Sequence, residues 1–134
     1  MTDANRKKDV GAEARRGEES LESAAILLRE KKLADAVSRA YYAAFHFARA
    51  LLLSVGEEVR THGGLERLLH RDFVRPGTLA PEIAVLYSRL LKHRGDADYT
   101  AEFVFTATVA KQQLADAGSF VDAAREILRK GGWL

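Results

Sequence analysis

The chain has 134 residues, 47% of them hydrophobic and 30% charged, with two prolines and no cysteine. That length suits one domain able to bury roughly two thirds of its unfolded surface. The missing cysteines exclude a disulfide scaffold, a thiolate metal site and a thiol nucleophile; a net charge of +2 does not by itself announce a nucleic-acid binder.

No apolar run approaches the roughly 20 residues needed to cross a bilayer. The N-terminal MTDANRKKDV lacks the apolar centre of a secretory signal. The expectation is a cytoplasmic chain with no membrane association, no metal and no cofactor. Charge is more informative when divided. Residues 60–94 carry seven basic side chains against three acidic ones, a net +4, and His62, His70 and His93 fall in the same stretch. Residues 95–134 carry four basic and six acidic. An anionic ligand is therefore sought in the middle of the chain, unless those arginines form only a solvated surface.

Residues 1–9 are polar and are expected to fray, leaving residues 10–134 as a single domain. From Val10 to about Lys31, Ala14, Leu21, Ala24, Ala25 and Leu28 fall at helical spacing, with Gly17 a weak point. A short break at Lys31–Lys32 leads to a second helix, about Leu33 to Val55, which Gly56 stops. So brief a connection predicts an antiparallel hairpin. Thr61-His62-Gly63-Gly64 opens a shorter helix marked by Leu65, Leu68, Leu69 and Phe73. Pro81-Glu82 then suits the first turn of a helix carrying Ile83, Leu86, Leu90 and Leu91. Gly95 is expected to interrupt it, making His93–Thr100 a polar connector. The last helix, from about Ala101 to Lys130, has the clearest stripe: Phe103, Ala107, Ala110, Leu114, Ala117, Val121, Ala124 and Leu128. No strand-like alternation occurs. The predicted fold is all-α, an antiparallel bundle of four main helices plus a short one.

Phosphate loops, the His-Glu-x-x-His metalloprotease pattern and the paired Glu-x-x-His repeats of di-iron bundles are all absent. Two clusters could carry chemistry. The first is Arg39-Ala-Tyr-Tyr-Ala-Ala-Phe-His46. Seven residues turn a helix by about 700°, so Arg39 and His46 share a face roughly 10 Å apart, with Tyr42 between them. Arg39 could grip a phosphate and His46 move protons. Equally, these side chains could satisfy internal bonds, and spacing alone favours that reading. The second cluster is His93-Arg94-Gly95-Asp96-Ala97-Asp98-Tyr99. It reads either as a functional loop or as a turn in which Asp98 caps the last helix and Tyr99 packs beside it. His62 precedes two glycines that would let backbone approach a ligand.

Taken together, Arg39-Ala-Tyr-Tyr-Ala-Ala-Phe-His46, Thr61-His62-Gly63-Gly64 and Arg94-x-x-Ala97-Asp98-Tyr99 resemble the HEPN family, in its small stand-alone branch with "RAYYAAFHAA" and "RxxADY" motifs. The resemblance spans about residues 15–128. It implies a helical bundle that forms a homodimer around a polar cleft. It also implies metal-independent RNA cleavage in a toxin–antitoxin or defence setting, often beside a minimal nucleotidyltransferase antitoxin. The alternative it carries is a non-catalytic module binding nucleotide, RNA or a nucleotidyltransferase partner. Arg94 fits the family's motif arginine. Where the motif has His, five places on, this chain has Tyr99; where antitoxin-paired members have a tyrosine, it has Ala101.

Metal-free RNA cleavage needs a base for the 2′-OH, an acid for the leaving oxygen and positive charge on the phosphate. The expected catalytic set is Arg94 and Arg39 as phosphate clamps, His46 as acid or base, and Asp98 and Tyr99 as orienting or proton-donating groups. Tyr42, His62 and His93 are the expected substrate contacts.

Overall fold

Helix α2 (Leu33–Ser54) is the axis around which the other elements pack. Ala36, Val37, Ala40, Tyr41, Ala43, Ala44, Phe47, Ala48, Ala50, Leu51 and Leu52 are all buried along it, so its apolar surface runs most of the way round. Such a helix is stable only when enclosed. Helices α1 (Asp3–Arg29), α3 (His62–Leu69), α4 (Pro81–Tyr99) and α5 (Ala107–Lys130) all pack against it. A π-helical turn, His70–Val74, extends α3. The computed structural model describes residues 2–102 and 104–134; no strand occurs among them. The predicted all-α bundle is what the chain forms. No helix among the described residues is long and apolar enough to cross a membrane.

The hairpin closes at the predicted place. Lys31 and Lys32 donate backbone N–H groups to Leu28 and Leu27, ending α1, with Lys31 in the left-handed region (φ 61°) usually given to glycine. The weak point at Gly17 has a packing reason. A Cβ there would lie 2.5 Å from Cδ2 of Phe47, whose ring is fully buried on α2. Glycine lets the two helices close on each other.

Three boundaries differ from the sequence reading. Residues 3–9 form the first turns of α1. Thr2 accepts a bond from the Asn5 N–H, and Val10 is buried, so the first turns are capped and anchored. Gly95 does not interrupt α4, which continues to Tyr99; Arg94 is buried and Ala97 packs on a small second core of Val37, Phe105 and Ala110. The helical run is thus held from both sides of the glycine. Helix α5 starts at Ala107 rather than Ala101, because Thr106 provides its N-cap and Phe105 is drawn into that second core. Asp98 does not cap α5. Phe103, assigned to the last helix's stripe, lies outside the described residues.

Gly17→Ala should lower stability despite the better helix propensity of alanine, worth about 1 kcal/mol. Overpacking at a closed core contact costs about 1–3 kcal/mol. A denaturant midpoint at or above that of the unaltered chain would show that Phe47 can move aside.

Candidate functional site

At the α4 end of the bundle a cation is buried among phenols. Arg94 is 6% exposed. Its guanidinium carbon lies 5.1 Å from the Tyr41 ring centre, 5.4 Å from Tyr99 and 5.9 Å from Tyr42. Nη1 donates to the Tyr99 hydroxyl at 3.1 Å and pairs with Asp98 at 3.5 Å, one helical turn on. Nε is buried without a hydrogen-bond partner among the described residues. Arg39, exposed on α2, stacks on Tyr42 at 4.6 Å. Two guanidinium groups thus flank the Tyr42 ring, and Tyr99, 77% exposed, covers the buried one.

Behind Arg94 lies a short hydrogen-bonded chain. The Tyr87 and Tyr41 hydroxyls are 3.0 Å apart, and the Tyr41 hydroxyl also meets Nδ1 of His62. Burial pushes the Tyr41 phenol up to about 12 and raises Tyr87 as well. His62 is held below the ordinary histidine value, first by burial and then by the Arg94 charge. Its place at the start of α3 depends on Thr61, whose hydroxyl accepts the Gly64 N–H at 2.9 Å. A Cβ on Gly64 would sit 2.7 Å from that hydroxyl. The second glycine of the His-Gly-Gly motif therefore serves the cap rather than a ligand.

The structure links Arg39, Tyr42, Arg94, Asp98 and Tyr99 through shared contacts, and His62 joins them through Tyr41. His46 is one turn further along α2 and turned to α1. Its Nδ1 is 2.8 Å from Glu13 Oε2, and Arg49 pairs with the other carboxylate oxygen at 3.3 Å. The Phe45 ring bridges the two histidines, 5.5 Å from His46 and 5.1 Å from His62. Glu13 and Arg49 also line a cavity of about 340 Å³ with Arg60 and Glu58. His93 is not brought to this cluster. It donates Nδ1–H to the Arg89 carbonyl at 2.9 Å, and its ring faces Phe105. Part of the basic middle stretch is also neutralised from outside it: Arg71 pairs with Glu57 and Arg89 with Asp116. Among the described residues no group of three or more His, Asp or Glu side chains is placed to hold a metal ion.

A family model described as the HEPN domain matches residues 12–128. The chain belongs to the HEPN domain family. It is similar to a Thermotoga maritima protein named "UPF0332 protein", 34% identical over 85% of this chain and 86% of the relative. It is likewise similar to a Methanocaldococcus jannaschii protein named "Putative toxin MJ0605", 34% identical over 84% of each chain. A second protein of that organism, "Putative toxin MJ0142", is 25% identical over 91% of this chain and 83% of its own length.

Within this HEPN bundle, sequence reasoning missed Glu13, Tyr41 and Tyr87 as members of the constellation. Tyr41 sits in the quoted motif but reads as core, and Tyr87 carries no local signal. Glu13 was recoverable from the hairpin: it and Arg49 are equidistant from Lys31, so an antiparallel register sets them opposite each other.

The lowered His62 has a consequence for stability. The folded chain favours the neutral ring, so as pH falls below about 6.5 the unfolded chain takes up the proton first and stability drops. His62→Gln should flatten that part of the profile when unfolding is followed from neutral to mildly acidic pH. An unchanged slope would assign the acid loss to other groups.

Proposed function

We propose that this chain is a toxin-type HEPN protein that cleaves single-stranded RNA without a metal ion, working as a homodimer. The observation that carries the reading is the convergence of Arg39 and Arg94 on one phenol ring, beside Asp98 and Tyr99. Two planar, permanently charged forks on one partly open surface suit a phosphodiester. Tyr99 is the cover that the phosphate displaces to reach Arg94. His46 supplies the base. A carboxylate can only accept, so Nδ1 of the neutral ring must donate to Glu13, leaving Nε2 as an acceptor.

In the proposed step, His46 Nε2 takes the 2′-OH proton as O2′ bonds to phosphorus. The P–O5′ bond breaks, O5′ takes a proton from the Tyr99 phenol, and solvent returns the proton held by His46 to Tyr99. The products are a 2′,3′-cyclic phosphate and a 5′-hydroxyl. The "toxin" names of two relatives support a growth-limiting role, with a minimal nucleotidyltransferase as the partner such a role would call for.

One observation favours the second reading, a module that binds RNA or nucleotide without cutting it. The place where the family motif has His holds Tyr99, and Tyr99 bonds Arg94.

The deciding assay is cleavage of single-stranded RNA by the purified chain with chelator present. Arg94→Ala should lower the rate by on the order of 10²–10³-fold. His46→Ala should lower it by on the order of 10²–10⁴-fold. RNA binding without cyclic-phosphate ends would establish the binding module instead; full activity in either variant would remove that residue from the mechanism.

A further inference from the structure

The phenol chain behind Arg94 fixes which nitrogen of His62 carries hydrogen. Tyr87 is 1% exposed, and its hydroxyl has one partner among the described residues, the hydroxyl of Tyr41. Tyr41 is fully buried and has two, Tyr87 and Nδ1 of His62. Each phenol has one hydrogen to place, and an unplaced buried donor is costly. Were Tyr41 to donate to Tyr87, the Tyr87 hydrogen would have no acceptor among the described residues. The order Tyr87 to Tyr41 to His62 places every hydrogen. Nδ1 is therefore an acceptor, and the neutral ring carries its hydrogen on Nε2.

Tyr41 holds the Nδ1 edge of the ring in the buried interior, so Nε2 lies on the edge turned away from it, and His62 is partly exposed. The ring and Arg94 lie against the same phenol, with ring centres 5.5 Å apart for His62 and Tyr41 and the Arg94 guanidinium carbon 5.1 Å from the Tyr41 ring. We propose that His62 is a fixed neutral donor whose Nε2–H binds a phosphoryl oxygen of the RNA strand beside Arg94. It orients and stabilises the phosphate and takes no proton in the reaction. The proposal rests on the reading of this cleft as a phosphodiester site.

The surroundings disfavour a charged ring. Tyr41 and Phe45 face it from α2, Arg94 acts on it from α4, and burial with that positive charge disfavours the imidazolium. Glu66, on the same helix as His62, acts on the two tyrosines. His46 is the opposite case, an imidazole beside a carboxylate with Nε2 left as an acceptor. The two histidines flanking Phe45 thus offer a phosphodiester one donor and one acceptor.

Nitrogen-resolved NMR of the four histidines, on the intact chain, tests this directly. In the free protein at about pH 8, His62 should show an unprotonated Nδ1 and a protonated Nε2, and it should take up its second proton at lower pH than a free histidine does. A 2′-deoxy oligonucleotide, which lacks the attacking hydroxyl, should shift the His62 Nε2–H resonance. His62→Gln, whose amide N–H also donates, should keep oligonucleotide affinity within about threefold, while His62→Ala should weaken it about tenfold. Tyr41→Phe frees Nδ1, so its affinity should become pH-dependent, rising as pH falls. A protonated Nδ1 in the unaltered chain at about pH 8, or an Nε2 resonance unmoved at saturating oligonucleotide, would overturn the donor role while leaving the phosphodiester cleft standing. An oligonucleotide that does not bind at all would overturn both.

Discussion

Burial of the Arg94 guanidinium governs the α4 end of the bundle. A guanidinium taken out of water costs several kcal/mol even after local relaxation. Three phenol rings return about 0.5–2 kcal/mol each as cation–π contacts. Among the described residues the remaining compensation is one carboxylate at 3.5 Å and one phenol oxygen at 3.1 Å, with no hydrogen-bond partner at Nε. That arrangement holds a charge in place without adding much stability. An apolar side chain of similar size would pack there at no greater cost. The arginine at this position therefore argues for a use of its charge rather than for structure.

The demands of that cation explain the element that departs most from expectation. Asp98 and Tyr99 can return to Arg94 only if the chain stays helical, since four residues make one turn. Gly95 therefore lies inside the helix, and a Cβ there would meet nothing. The glycine is read as a breaker because local propensity is all a sequence window offers. What overrides it is tertiary: Arg94 on one side and Ala97, packed beside Val37 and Phe105, on the other. Residues 3–9 follow the same logic. Their polar composition predicts fraying, but the Thr2 cap and the stacking of Arg6 on Trp133 at 5.9 Å tie the turn to the far end of the chain. The features legible in advance were those fixed locally: the hairpin at Lys31, the stop at Gly56, the Thr61 cap and Pro81 in a first turn.

The candidate site divides along the same line. The Arg39–Tyr42 pairing lies within one helix and follows from spacing, whereas the nearness of Arg94 to Asp98 and Tyr99 depends on α4 running on through Gly95. The His46–Glu13 bond needs the register of two helices. The Tyr41–His62–Tyr87 chain needs three elements to meet. Spacing alone favoured internal bonding for the α2 cluster, and His46 does have an internal partner. Arg39 does not follow that reading: among the described residues its partner is a ring face, which leaves its donors open to a further group.

Position 99 is where these threads join. The family motif has a histidine there, five residues after its arginine, and this chain has a tyrosine bonded to that arginine. An imidazole nevertheless lies against the ring that carries Arg94, supplied by α3 instead of by α4. It comes with a hydrogen-bond chain that sets its tautomer, and burial followed by a neighbouring cation holds it below the ordinary histidine value. A histidine so constrained is poorly suited to exchange protons and well suited to donate one hydrogen bond without carrying charge. In the proposed reaction, proton exchange falls to His46, held by the Glu13 carboxylate on the other side of Phe45. The departure from the motif at Tyr99 is therefore not a simple loss of an imidazole near Arg94, because α3 sets His62 against Tyr41, while the histidine of α2 is held by Glu13 beyond Phe45.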